Sequence, residues 1–390
     1  MVMGTSWRGN VGETGAGHPG SVLPPLAGFT VGVTADRRAD EQAELLRRRG
    51  AEVVHGPVIR TLALTDGPEL EAATEAIVAD PPDTLVALTG LGVRSWFEAA
   101  DGRGRGDALR TALEGATVLA RGPKAAGALA TVGLDADWRA PGESSVEILA
   151  HLDDDLAGRR IAVQRDGVEI AHLARALAAR RADVVDVPVY RWGLPLDPAP
   201  AASLLQGIVS HQVDAVTFTS AAAISNLFTL AAADGDPTTV DRLVAALQGP
   251  VRPICVGPVS AARLAGHGVP GSLHPERWRL GPMVRCLVEA LADRRRTAPL
   301  GGHQAEIQGT AVAVAGAEVS LSRREAQLLA ALVDAAGAVV AKDRLARTVW
   351  EPGTDPHVVE VTVARLRRRL GPAGDALETV PRRGYRAAPT

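Results

Sequence analysis

Three sets of residues in this 390-residue chain have the types and spacing to do chemistry. The first is a pair of Gly-Pro turns, Arg121-Gly122-Pro123-Lys124 and Gly257-Pro258-Val259-Ser260, each joining an apolar run to an Ala-rich one. Backbone N–H groups left free at such a turn into a helix favour an anion, and the same pair also serves as an ordinary tight turn. The second set lies at the ends of other apolar runs: Arg37 in Thr34-Ala35-Asp36-Arg37, Thr89 in Thr89-Gly90, and Thr219-Ser220. The third set is basic. Arg365, Arg367, Arg368 and Arg369 stand against the single acid Glu360 in 357–371, and Arg382, Arg383 and Arg386 follow with no acid in 380–386. Two such elements are an electrostatic footprint for nucleic acid, or else a solvated charged face.

The elements that must position the first two sets come from an internal duplication. Thr30-Val31-Gly32-Val33-Thr34 matches Arg160-Ile161-Ala162-Val163-Gln164, and Glu52-Val53-Val54 matches Asp183-Val184-Val185. Pro57-Val58-Ile59-Arg60 matches Pro188-Val189-Tyr190-Arg191, Leu85–Thr89 matches Ala215–Thr219, and 118–123 matches 253–258. Short apolar strands alternating with helices predict parallel sheets covered on both faces, so the chain reads as two similar open α/β domains. Ligands of such sheets bind beyond the carboxyl ends of the strands, where the first two sets fall.

The basic set lies in a different context. Ser322-Arg323-Arg324-Glu325 is a capping box opening an apolar helix, a second helix runs through Trp350, and a third follows Pro356. In the third, Val359, Val363, Leu366 and Leu370 form one narrow seam. Val361, Ala364, Arg365 and Arg368 lie opposite; Glu360 and Arg367 flank one side, Thr362 and Arg369 the other. A core-facing seam with an Arg-rich outer face suits a major-groove helix. Residues 379–386 then predict a basic hairpin anchored by Tyr385.

The duplicated part resembles the uroporphyrinogen-III synthase family over roughly 260 residues, on Val216-Thr217-Phe218-Thr219-Ser220, Val256–Ala262 and the strand Pro188-Val189-Tyr190-Arg191. The resemblance implies two parallel-sheet α/β domains, the second inserted in the first: 28–61 with 193–292, and 62–192, joined by two linker strands near 57–66 and 188–197. It implies closure of a linear tetrapyrrole bearing eight carboxylates, with loss of water and without a cofactor. Tyr190 is then the candidate proton donor to the departing hydroxyl, and packing between domains is the other reading of it. Arg37, Thr89, Arg121, Gly122, Lys124, Thr219, Ser220, Gly257 and Ser260 are the candidate ligand contacts. Two positions depart from the family pattern: Ala125 stands where a hydroxyl is usual, and Thr89-Gly90 replaces Thr-Ser.

Residues 306–388 resemble the winged helix-turn-helix domain of two-component response regulators, on Leu321–Glu325, Val359–Leu370 and Gly384-Tyr385-Arg386. That implies double-stranded DNA as partner, with contacts from Val361, Thr362, Arg365, Arg368, Arg369 and the wing residues Arg382 and Arg383, and dimeric binding to tandem half-sites. Residues 293–305 read as a flexible linker and 1–27 as a disordered tail.

Composition narrows the classes further. Hydrophobic residues are 46%, charged residues 22% and net charge −3, ordinary for a globular protein. No apolar run reaches membrane-spanning length, and no His or Cys spacing suggests a metal. Two cysteines suit a reducing cytoplasm. The combined expectation is a DNA-binding transcriptional regulator whose synthase-like module senses a tetrapyrrole or other small anion, or keeps cyclising activity. The alternative is a working synthase with a DNA-binding appendage.

Overall fold

The computed structural model describes residues 23–164 and 170–388. The α/β part contains the strands β1 (Thr30–Val33), β2 (Glu52–His55), β3 (Arg60–Ala63), β4 (Thr84–Ala87), β5 (Thr117–Ala120), β6 (Trp138–Arg139), β7 (Arg160–Gln164), β8 (Asp183–Val187), β9 (Tyr190–Gly193), β10 (Ala215–Phe218) and β11 (Arg252–Cys255). The chain divides into two units, Arg60–Leu194 and the remainder. In the first unit in chain order the parallel sheet runs β11-β10-β1-β2; in the inserted unit it runs β6-β5-β4-β7-β8. Equating the duplicated strands makes β11-β10-β1-β2 the counterpart of β5-β4-β7-β8, in the same order. Strands such as β10, buried at all four residues, carry apolar side chains on both faces because helices cover both. β3 and β9 pair antiparallel, Ala63 opposite Tyr190, and count with the inserted unit.

The winged helix belongs to the first unit. It comprises β12 (Arg296–Leu300), β13 (His303–Gln308), β14 (Ala311–Val314) and β15 (Ala317–Ser320) in one antiparallel sheet, and helices Arg323–Asp334, Lys342–Val349 and His357–Leu370. The hairpin of β16 (Leu377–Val380) and β17 (Gly384–Ala387) completes it.

The expected flexible linker is corrected here. Residues 296–300 form β12, and Gly301-Gly302, both at positive φ, make the two-residue turn into β13. A Gly-Gly pair between strands is a hairpin signal, and Leu300, fully buried, anchors it. The tail is corrected in part: Leu23, Leu26 and Ala27 are buried, while residues 1–22 lie outside the described residues.

Instead of hanging on a tether, the winged helix is keyed to the first sheet. The Gly28 carbonyl accepts from the Thr310 amide at 2.8 Å and its hydroxyl at 3.0 Å. Gln308, 1% exposed, donates to the carbonyls of Pro24 and Ala27. Gly28 has φ +73, and a Cβ there would lie 2.3 Å from the Ala311 nitrogen, so the two backbones meet only because the residue is glycine. The Asp214 carboxylate accepts two bonds from Arg323, both 2.9 Å, and one from the Thr30 amide at 2.9 Å. Arg323 also reaches the Gln212 carbonyl at 2.7 Å.

Two outcomes follow from this packing. Asp214→Ala strands a guanidinium and an amide in a mostly buried seam and is expected to cost about 3 kcal/mol, read as a lowered denaturation midpoint with faster proteolysis near 293–305. Cys255 and Cys286 are buried, and burial pushes their thiols up to about 12 and about 11. Alkylation at neutral pH, followed by mass spectrometry, is therefore expected only after denaturation.

Candidate functional site

The capping box at Ser322 forms as its spacing predicts, with Glu325 accepting from the Ser322 amide and hydroxyl, each at 2.8 Å. Leu328, Leu329 and Leu332 then face the core shared with Val359, Val363, Leu366 and Leu370 of the helix His357–Leu370. The wing is fixed to the turn between the first two helices. Val340 and Tyr385 exchange both backbone bonds, at 2.8 and 3.0 Å. Gly384, at φ +134, lies so close that a Cβ would sit 2.0 Å from the Val340 carbonyl oxygen. Burial raises the Tyr385 phenol above its usual range.

The seam leaves one row outward. Val361 is 43% exposed, and Arg365 and Arg368 are exposed with no ion pair or hydrogen bond among the described residues. Glu360 is ion-paired with Lys342 Nζ at 2.5 Å and hydrogen-bonded to His357 Nδ1 at 3.0 Å, and the Lys342 bond holds its carboxyl below the usual range. Arg382, at φ +60, and Arg383 are exposed in the wing turn.

Two of the expected DNA contacts, Thr362 and the exposed Arg369, are engaged within the domain. Thr362 is 9% exposed and gives its hydroxyl to the Val358 carbonyl at 2.7 Å, because this flank packs inside the domain. Arg369 donates to the Ser320 carbonyl at 2.8 Å and lies 3.4 Å from the buried Glu325 carboxylate, so it clamps the first helix. Arg367 holds the wing through the Leu377 carbonyl and the Thr379 hydroxyl. Arg344 and Arg347 on the second helix, exposed and unpaired among the described residues, were missed because they stand apart from the arginine run.

At the carboxyl end of the inserted unit's sheet, Tyr190, Thr89 and Gln164 come together. Tyr190 is 5% exposed, and its hydroxyl donates to Thr89 Oγ1 at 3.3 Å. Gln164 Oε1 accepts from the Thr89 amide at 2.9 Å. Gln164 escaped the sequence reading; its one signal is a polar residue closing an apolar strand. The glycines explain the departure from Thr-Ser. A Cβ on Gly92 would sit 2.0 Å from Gln164 Nε2, and one on Gly90 would sit 2.3 Å from the Lys124 carbonyl oxygen. With no side chain at Gly90, the helix cap falls one residue earlier, on Thr89, which accepts from the Gly92 amide at 3.0 Å.

The two Gly-Pro turns differ. Beside half-buried Arg121 and exposed Lys124, the Glu143 side chain lies over Gly122, its Cγ 3.2 Å from where a Cβ would be. An acid therefore covers the expected anion turn of the inserted unit. In the first unit Trp278, 45% exposed, covers Gly257 in the same way, at 3.0 Å. There Ser220 caps its helix by accepting from the Ala223 amide at 3.2 Å, Thr219 is half-buried and Arg37 is exposed. Ser260 is 3% exposed; a helix residue so deeply packed offers little to a ligand, which corrects that expectation. Among the described residues no cluster of His, Cys, Asp and Glu could hold a metal, and no helix is long and apolar enough to cross a membrane.

Comparison with known proteins agrees with this division. Residues 40–285 match the family described as uroporphyrinogen-III synthase HemD, and residues 316–387 match the C-terminal domain of transcriptional regulatory proteins. A mutant uroporphyrinogen III synthase from Thermus thermophilus, solved by crystallography, is 31% identical, covers 68% of this chain and 99% of its own, and superposes with a TM-score of 0.56. An uncharacterized Bacillus subtilis protein is 25% identical over 265 residues, 66% of this chain and 94% of its own. The transcriptional regulatory protein CseB of Streptomyces coelicolor is 38% identical over 88 residues, 22% of this chain and 37% of that regulator. With well over half its length matched and both sheets in the same strand order, the chain belongs to the uroporphyrinogen-III synthase family, here joined to a winged helix-turn-helix domain of the transcriptional-regulator type.

Proposed function

We propose that the protein is a DNA-binding transcriptional regulator whose synthase-like module responds to a tetrapyrrole or related small anion rather than turning it over. The observation that carries the reading is the outward row Val361, Arg365 and Arg368 on a helix whose opposite seam is wholly buried. Guanidinium groups without partners among the described residues are available to phosphates and guanine edges, and the Lys342 ion pair offsets the acid beside them. Arg382 and Arg383 grip the adjacent backbone from the wing, and two copies occupy tandem half-sites.

Three features support sensing over turnover. The Tyr190 phenol is buried and engaged with Thr89. Glu143 covers the Gly122 turn against an anion. Ala125 and Gly90 offer no hydroxyl where the family usually has one. A catalytic reading is favoured by one observation, the phenol–threonine pair at the strand ends, which could hand a proton to a departing hydroxyl. Sensing requires only that the ligand bind the two states of the protein unequally.

Genomic fragments retained by the purified chain and then sequenced test the first claim. Arg365→Ala with Arg368→Ala is expected to cost about 1–3 kcal/mol per arginine in DNA affinity and to erase enrichment; undiminished enrichment contradicts the helix assignment. Arg382→Ala with Arg383→Ala is expected to weaken all sequences alike and flatten the salt dependence. For the module, hydroxymethylbilane is supplied and the ring isomer analysed. The expectation is little type III isomer above the uncatalysed background. Rapid formation that collapses in Tyr190→Phe would establish the catalytic reading instead.

A further inference from the structure

The winged helix packs against the amino-terminal edge of the first unit's sheet, the edge opposite the strand ends described above. A cleft of about 360 Å³ lies on that seam. Its walls come from residues just ahead of the strands (Phe29 before β1, Asp214 before β10, Pro250 before β11) and from the helix Arg323–Asp334. Phe29, Val213, Ile307, Ala326, Ala330 and Val349 give it an apolar lining.

The charges around the cleft do not balance. Three guanidinium groups, Arg294, Arg296 and Arg323, meet two carboxylates, Asp214 and Asp334. Arg323 is matched by both oxygens of Asp214, at 2.9 and 2.9 Å, and Arg296 by both of Asp334, at 2.7 and 2.9 Å. Arg294 is left over. Its closest carboxylate oxygen is Asp214 Oδ1, 3.9 Å away and already held by Arg323. Among the described residues it donates to the carbonyls of Pro250 at 2.6 Å and Asp214 at 3.4 Å, using two of the five N–H donors a guanidinium carries. Burial pulls Arg294 below the usual guanidinium range, and the nearby Asp214 and Asp293 carboxylates, each also facing another arginine, offset that only in part.

We propose that this cleft binds a small organic monoanion, its carboxylate on Arg294 and its apolar body against Phe29 and Ala330. The volume is that of a small-molecule site, and the single surplus charge matches one carboxylate. An inorganic anion would leave the apolar lining exposed. Because the walls belong to both the sheet and the winged helix, occupancy stabilises the docked arrangement of the two. The site is separate from the strand-end positions and stands whether or not the regulator reading does.

The test uses the full chain and para-fluorobenzoate, followed by fluorine NMR, with neutral para-fluorobenzamide alongside. Broadening is expected for the carboxylate alone, with a raised melting temperature, and is expected to vanish in Arg294→Gln and in Ala330→Leu. The second variant fills the lining and leaves every ion pair in place, so it decides the matter if the first does not fold. No broadening up to ~10 mM, equal broadening by the amide, displacement by inorganic phosphate, or survival in Ala330→Leu would each overturn the assignment.

Discussion

The Asp214 carboxylate is the joint on which the first unit depends. It stands directly before β10, accepts the first amide of β1, and holds Arg323 of the winged helix by two bonds. At the edge of a sheet and mostly buried, a carboxylate is stable only when its oxygens are filled by such donors. One side chain thus sets the pairing of two central strands and the seating of the DNA-binding domain. Gly28 adds a steric condition at the same seam, since any larger residue would collide with the backbone of Gln308 and Ala311.

That seating sorts the functions by position. The amino-terminal edge of the first sheet carries the winged helix, and the carboxyl edge keeps Thr219, Ser220 and the Gly257 turn clear of it. A winged helix on a loose tether would be indifferent to events in the sheet. Here the winged helix shares hydrogen bonds with residues at the strand starts, so a change in the sheet has a physical path to the helix that carries Arg323.

The duplicated halves have diverged in chemistry while keeping one strand order. In the inserted unit, Tyr190, Thr89 and Gln164 form a chain of hydrogen bonds, and Glu143 covers the Gly122 turn. In the first unit Trp278 takes the place of that acid, and Ser220 rather than Thr219 caps the following helix. An acid therefore lies over one turn and an indole over its counterpart.

Much of this was determined by the sequence alone. Apolar strands at offsets of 130 to 135 specify two parallel sheets, because only strands buried on both faces can be that apolar. The capping box at Ser322, the Val359–Leu370 seam and the arginines opposite it specify a helix with one buried seam and a basic outer face, because helical periodicity leaves those side chains no other face. What the tertiary structure decided is where neighbours fill the flanks. Thr362 and Arg369 lie beside the seam, and only packing shows that one is buried and the other turned back to Glu325. The Gly301-Gly302 pair is compatible with a tether or a hairpin until Leu300 finds a core. Gln164, Glu143 and Asp214 acquire their roles from residues 21 to 184 positions away, and contacts of that span leave no local period or motif to read.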